Sequence, residues 1–160
     1  MKLIHVFTEL ELDANDIAYL DNLRDTKKDL TTSWIESQGV HMKSGYTQHF
    51  IEDDFTNPFY KKITALYPEW VGYSKPQISR VRGELKVHND FRKYALSIPL
   101  VDLKNPITFW DSREDDKKIL QQYYYTKYQP VIINAQMLHS VIDNDEDRIF
   151  FQMPWYEMPS

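Results

Sequence analysis

Cysteine is absent from the 160 residues. That excludes disulfides and thiolate metal sites, and it fits a reducing compartment. No apolar run approaches the ~18 residues of a membrane span. The amino-terminal stretch MKLIHVFTELELD carries one lysine and soon turns acidic, unlike a secretory signal. These absences point to a cytoplasmic protein with no membrane association. Positive charge is not in excess: 19 Lys and Arg stand against 24 Asp and Glu, a net charge of −5. Wholesale binding to a phosphate backbone is therefore disfavoured. No basic–aromatic stripe marks a nucleic-acid groove, so a nucleobase substrate is disfavoured too. Internal repeats and low-complexity segments are also missing.

What is present suits a globular chain. Hydrophobic residues make up 42% and aromatics 14%, including 11 Tyr and 4 Trp, enough for one sizeable core. The length predicts a single domain over 1–160, with a helical or mixed support region at 1–74 and a β core at 75–156. In the support region, Lys2 to Phe7 reads as a short strand. Asp13 or Asn15 is placed to cap a helix over Asp16 to Leu23 that buries Ile17, Leu20 and Leu23. Trp34 to Phe50, with Gly39 and Gly45, reads as irregular or hairpin structure. Asn57-Pro58 opens a second helix, in which Phe59, Ile63, Leu66 and Tyr67 recur at helical spacing up to Pro68.

From Lys75 the pattern changes to short β-rich segments: QISRVRG, ELKVHND, RKYALSIPLV, NPITFWD, QQYYYTKY, PVIINAQ, MLHSVID and RIFFQMPW. Gly83, Asn105-Pro106, the charged loop SREDDKK, Pro130 and the turn DNDED separate them. So many strands in so short a span, preceded by helices, predict a mainly β fold, a jelly roll backed by amino-terminal helices. From Arg80 to Asp90 the even positions are polar, while Val81, Leu85 and Val87 are odd. The apolar face is expected to pack on the helices, and the polar face to meet solvent or line the mouth of the barrel.

His88 and Asp90 are two apart, so on a strand or at its end both point to one side. An imidazole and a carboxylate so placed can grip one metal ion. His139 is the only histidine downstream of Asp90 and supplies a third ligand, which leaves three coordination positions open. That is the donor set of non-haem Fe(II) oxygenases. Arg148 follows His139 by nine residues, across a strong turn signal. A hairpin there would put it on the strand beside His139, facing the barrel interior. Among Ile149, Phe150 and Phe151 its charge needs a partner, either a dicarboxylate ligand held by the guanidinium fork or an internal acid.

VHNDFRKYALSIPL and HSVIDNDEDRIFFQMPW together resemble the 2-oxoglutarate/Fe(II)-dependent oxygenases. The likeness is to aspartyl/asparaginyl β-hydroxylase-like, prolyl hydroxylase-like and short phage-type members, and it covers about Gln77 to Trp155. Some β-hydroxylases lack the acid that Asp90 provides here. The resemblance implies a double-stranded β-helix with Fe(II) held by His88, Asp90 and His139, and 2-oxoglutarate as cosubstrate with its distal carboxylate on Arg148. It also implies O2 as co-reactant, and a C–H bond of an amino acid, peptide or other small molecule hydroxylated with release of succinate and CO2. Arg92 is a candidate second contact to the cosubstrate. Tyr94, which shares the parity of His88, is preferred over Ser97 as a further contact. Two other classes stay open: a cupin-like metal enzyme that does not use 2-oxoglutarate, and a non-catalytic jelly-roll binding or structural protein. Trp110, Tyr123, Tyr124 and Tyr125 read as core. SREDDKK reads as a solvated loop able to cover the site. His5 reads as a hydrogen-bonded structural residue. His41 and His49, with Glu52 and Asp53, lack compact metal-ligand spacing.

Overall fold

A computed structural model describes residues 1–27, 46–51, 55–70, 75–90, 92–141 and 146–160. His41, Glu52, Asp53 and most of the segment read as hairpin or irregular lie outside the described residues. The described elements run β1 (Ile4–Val6), α1 (Ala14–Thr26), β2 (Tyr46–Phe50), α2 (Pro58–Leu66), β3 (Gln77–Arg82), β4 (Leu85–His88), β5 (Tyr94–Pro99), β6 (Ile107–Trp110), β7 (Ile119–Tyr123), β8 (Val131–Asn134), β9 (His139–Val141) and β10 (Asp147–Trp155).

The strands form two antiparallel sheets, ordered β1-β8-β5-β10-β3-β2 and β4-β9-β6-β7. The mainly β jelly roll with helices is therefore borne out. The amino-terminal part does more than support it, because β1 pairs with β8 and β2 with β3 as extra strands of the larger sheet.

Both helices start where local chemistry dictates. Asp13, not Asn15, caps α1: its carboxylate accepts from the Asp16 amide, and Asp16 accepts from the Asp13 amide in return. Leu20 and Leu23 are buried, but Ile17 is only half-buried. Asp16 takes an inward place instead, paired with Lys62 of α2 at 2.5 Å, so the helix pair is joined by charge as well as by packing. Asn57 caps α2 through the Phe59 amide at 3.0 Å, with Pro58 in the first turn.

The helices and one face of the larger sheet enclose an apolar cluster of Leu20, Leu23, Phe59, Ile63, Leu96, Ile132, Phe151 and Met153. A second cluster, with Ala95, Ile107, Phe109, Tyr125, Val131, Ile133 and Phe150, fills the space between the sheets. Side chains alternate between these two environments along β5, β8 and β10 of the larger sheet.

Two expectations of strand parity fail for one reason. Arg80 to Asp90 is not one strand. Gly83, at φ 101°, turns the chain from the larger sheet into the smaller one, a conformation only glycine adopts without a Cβ clash. In β3 the residues facing between the sheets are the odd ones, Gln77, Ser79 and Val81, because they are the register partners of Gln152, Phe150 and Arg148. Ile78, of opposite parity, belongs to the helix-side core.

Candidate metal centre

β4 and β9 pair antiparallel with His88 directly opposite His139, so the pleat puts both imidazoles on one face. Their ring centroids are 4.4 Å apart. Asp90 follows the end of β4, and its amide donates to the Ala135 carbonyl at 2.8 Å. That bond turns the carboxylate back towards the two rings. His88 Nε2 lies 3.6 Å from Asp90 Oδ1, and His139 Nε2 lies 3.8 Å from Asp90 Oδ2. One ligand atom from each residue falls within 4.8 Å of the other two. Both histidines are buried and Asp90 is half-buried.

The back of each ring decides what its front can do. His88 Nδ1 donates to the Lys86 carbonyl at 2.6 Å, and His139 Nδ1 to the Met137 carbonyl at 2.7 Å. With the proton held on Nδ1, each Nε2 presents a lone pair to the shared space. Burial pushes the His88 pKa down, and His139 and Arg113 add to this, while the Lys86 carbonyl and Asp90 oppose it. The balance favours the neutral imidazole, the form that ligates a metal. Two neutral nitrogens and one carboxylate suit a divalent first-row metal. The structure thus brings together all three residues anticipated as ligands.

Arg148 faces the same interior, but not from the strand beside His139. Both hydrogen-bonding edges of β9 are taken, by β4 and β6, so β10 lies in the other sheet, between β5 and β3. Arg148 is 2% exposed. Its guanidinium carbon sits 5.6 Å from the centroid of Tyr125 and 5.6 Å from that of Phe150. Nη1 donates to the Asn105 carbonyl at 2.9 Å and to Glu146 Oε1 at 3.2 Å. The internal acid partner is therefore present.

Glu146 is mainly occupied elsewhere, accepting from the amides of Lys104 and Asn105 at 2.8–3.0 Å. Burial opposes its ionisation, but those amides and Arg148 outweigh burial and hold its carboxyl below the usual range. Burial lowers the Arg148 pKa against the pull of Tyr125 and Glu146. Burial also raises the Tyr125 hydroxyl to about 12, so the aromatic wall stays neutral. Arg148 Nε and Nη2 make no hydrogen bond among the described residues, and this edge of the fork remains available to an anion.

The other anticipated contacts separate. Arg92 lies half-buried in the loop after Asp90. Tyr94 packs against the helix-side core, with Lys93 Nζ 5.3 Å from its ring centroid, and is not brought to the site. Ser97, of opposite parity, is the β5 residue that faces between the sheets, fully buried. Parity counted from His88 does not survive the loop that carries the chain from one sheet to the other.

Trp110 and Tyr125 are buried as expected, while Tyr124 is 62% exposed. His5 is held by Glu9 at 3.1 Å and by Lys2 at 2.8 Å, the structural role expected of it. The SREDDKK loop reaches the site through Arg113, which donates to the Val87 carbonyl at 3.3 Å and to Asn89 Oδ1 at 2.8 Å, on either side of His88. Tyr125, Glu146, Asn105 and Arg113 were not singled out in the sequence as site residues. Only Glu146 carried a local signal, an acid two residues before an arginine that needs a partner.

Three solved structures share the fold. A prolyl hydroxylase from Trichoplax adhaerens, solved with a hypoxia inducible factor peptide fragment, superposes at a TM-score of 0.62 with 11% identity, covering 96% of this chain and 83% of that one. A Pseudomonas putida prolyl-4-hydroxylase gives 0.57 and 10%, covering 96% and 91%. A Burkholderia pseudomallei oxidoreductase of the 2OG-Fe(II) oxygenase family gives 0.52 and 9%, covering 89% and 80%. No family model and no curated protein matches the chain. At these identities the likeness is one of fold.

Proposed function

We propose that the chain is an Fe(II)- and 2-oxoglutarate-dependent oxygenase that hydroxylates a C–H bond of an amino-acid, peptide or other small substrate. The observation that carries this reading is the convergence of His88 Nε2, His139 Nε2 and an Asp90 oxygen on one space, with both Nδ1 protons held by backbone carbonyls. Fe(II) held by His88, Asp90 and His139 would supply the redox chemistry that couples oxidative decarboxylation of 2-oxoglutarate, giving succinate and CO2, to insertion of one oxygen atom of O2 into the substrate C–H bond.

The protein's own residues do the rest. His88, Asp90 and His139 present one face of donors and leave the opposite face open. Arg148 offers Nε and Nη2 to the distal carboxylate, while Asn105 and Glu146 orient its guanidinium through Nη1. Phe109, whose ring centroid is 5.9 Å from that of His139, joins Ile107, Tyr125 and Phe150 in an apolar interior between the sheets. That interior excludes water and strengthens the ion pair. Arg92, in the loop after Asp90, would add a second contact to the cosubstrate. The neighbour solved with a peptide favours a peptide among the substrate classes. No described helix is long and apolar enough to cross a membrane.

The Arg148–Glu146 pair favours one other reading, a cupin-like metal enzyme in which that pair is purely structural. Succinate release tests between them. The protein with Fe(II), O2 and 2-oxoglutarate, screened over amino acids and peptides, is expected to form succinate in proportion to 2-oxoglutarate consumed. A metal-loaded protein that neither binds nor consumes 2-oxoglutarate would overturn the proposal.

A further inference from the structure

The face of the larger sheet turned towards the smaller one carries a row of uncharged hydrogen-bonding side chains that belong neither to the triad nor to the Arg148 pair. The row is Gln48, Gln77, Ser79, Gln152 and Ser97, spread over β2, β3, β10 and β5 of the larger sheet. Register puts them on one face: Gln48 is opposite Ser79, Gln77 opposite Gln152, and Gln152 opposite Ser97. That face is the one that carries Arg148 and Phe150, between the sheets. Gln77, Ser79 and Ser97 are 3%, 2% and 0% exposed.

The row has a direction. On β10 the inward side chains run Arg148, Phe150, Gln152, Pro154. Gln152 is thus four residues from Arg148, about 13 Å along the strand. The displacement is towards the end where Ala135 bonds both Lys93 and Asp90, which is the end that holds the triad.

Two of the amides play different parts. Gln152 is held on both sides: its Oε1 accepts from Ser79 Oγ at 3.0 Å, and its Nε2 donates to Ser97 Oγ at 3.1 Å. Gln77 is held on one side only, where its Oε1 accepts from Gln48 Nε2. The Gln77 carboxamide nitrogen has no hydrogen-bond partner among the described residues. Although the residue is 3% exposed, this atom is not one of the fully enclosed unpaired ones, so it keeps access to the space between the sheets. Buried polar groups of this kind are paired as a rule, and a carboxamide N–H pairs with a neutral carbonyl without bringing in a charge.

The surroundings select against charge. The described buried residues include no lysine, and Arg148 is the only arginine among them; the only buried carboxylate is Asp16, on α1. A zwitterionic free amino acid would leave its ammonium or carboxylate without a counter-charge along this wall. A carbonyl within an amide would not.

We infer that Gln77, steadied by Gln48 and by the Ser79–Gln152–Ser97 chain beside it, binds a neutral amide carbonyl of the substrate. The substrate is then a residue within a peptide, or a blocked amide, and not a free amino acid. This rests on the oxygenase reading for the reaction, but the binding itself can be measured without turnover.

The probes are a panel of N-acetyl amino-acid N-methylamides set against the corresponding free amino acids. Free asparagine and glutamine serve to separate a side-chain carboxamide from a backbone amide. Equilibrium binding to the Mn(II)- and 2-oxoglutarate-loaded full chain, without O2, should detect at least one blocked amide and discriminate against its free counterpart at least tenfold. Gln77→Leu should weaken that probe about three- to tenfold, the range of one neutral hydrogen bond. Gln77→Glu should weaken it at least as much, since it puts an acceptor where the donor was. Melting curves of both variants, matched to the parent, show that the fold is kept. Free amino acids binding as well as blocked ones, or parent-like affinity in both variants, overturns the inference. Blocked amides that bind through Gln77 to a protein releasing no succinate would uphold the subsite and sink the oxygenase reading alone.

Discussion

Replacing Arg148 by alanine separates the two fates of its guanidinium. Nη1 is used inside the protein, on Asn105 and Glu146. The Nε–Nη2 edge is the one available to a ligand. Loss of the side chain does not strand Glu146, whose carboxylate keeps the amides of Lys104 and Asn105, and the variant should therefore fold. On the proposed reading, what it loses is a desolvated guanidinium–carboxylate pair with the distal end of 2-oxoglutarate. Truncating such a pair costs about 2–5 kcal/mol, roughly 30- to several-thousand-fold in affinity. Titration of 2-oxoglutarate into the Mn(II)-loaded proteins without O2 reads this directly. Arg148→Ala should keep the metal and lose at least about 30-fold in 2-oxoglutarate affinity. Arg148→Lys should fall between, keeping the charge but not the fork. Glu146→Gln should bind 2-oxoglutarate at least as well as the parent, because it removes a competing anion from Nη1. Equal affinity in parent and Arg148→Ala would refute the cosubstrate role and leave the Arg148–Glu146 pair as architecture, as the cupin-like reading has it.

Fe(II) affinity should fall at least about 100-fold in His139→Ala and in Asp90→Asn; anaerobic competition with a chelator measures it, and parent-like binding in either would break the triad assignment. Gly83→Ala puts a Cβ on a backbone at φ 101° and should cost about 1–3 kcal/mol in urea unfolding, with weaker metal binding because this turn delivers β4; an unchanged midpoint would show that the turn relaxes freely. The Tyr125 hydroxyl, raised by burial from 10.0 to about 12, is protonated in the folded state where the unfolded chain has begun to ionise. Its contribution is thus complete below pH 10, and stability should fall by about 3 kcal/mol as pH climbs from 10 to 12. Tyr125→Phe should flatten that alkaline slope, and an unaltered slope would locate the ionisation elsewhere.

Sequence reasoning succeeded where one short-range rule sufficed and failed where the chain changed sheet. Asn57-Pro58 and Asp13 start helices by bonds spanning two or three residues, and both were legible. His88 and Asp90 are joined by two residues of chain, so their common side follows from the pleat or from a strand end. His139 was found by elimination, as the last histidine. Arg148 was correctly read as inward, because its apolar flank makes a buried charge in need of a partner. Its sheet was not legible, since β9 already has a neighbour on each edge, a fact of long-range pairing that nine residues of local sequence do not contain. Tyr94 and Ser97 were assigned to the wrong faces because parity was carried from β4 across a loop into another sheet. An earlier crossing, at Gly83 between β3 and β4, inverted the reading of β3.

That inversion bears on the chemistry. Once β3 is turned over, Gln77 and Ser79 leave the anonymous face of a strand and join Gln152 and Ser97 between the sheets. Of the candidate metal centre's three residues, adjacent spacing exposes His88 and Asp90, and elimination among five histidines exposes His139. Groups that would decide which substrate meets it are spread over four strands drawn from residues 46 to 155, and only the pairing of those strands makes them one surface. A metal triad needs three donors at short range. A wall that selects a neutral amide over a charged amino acid needs many positions kept free of charge together, and such a pattern has no local signature.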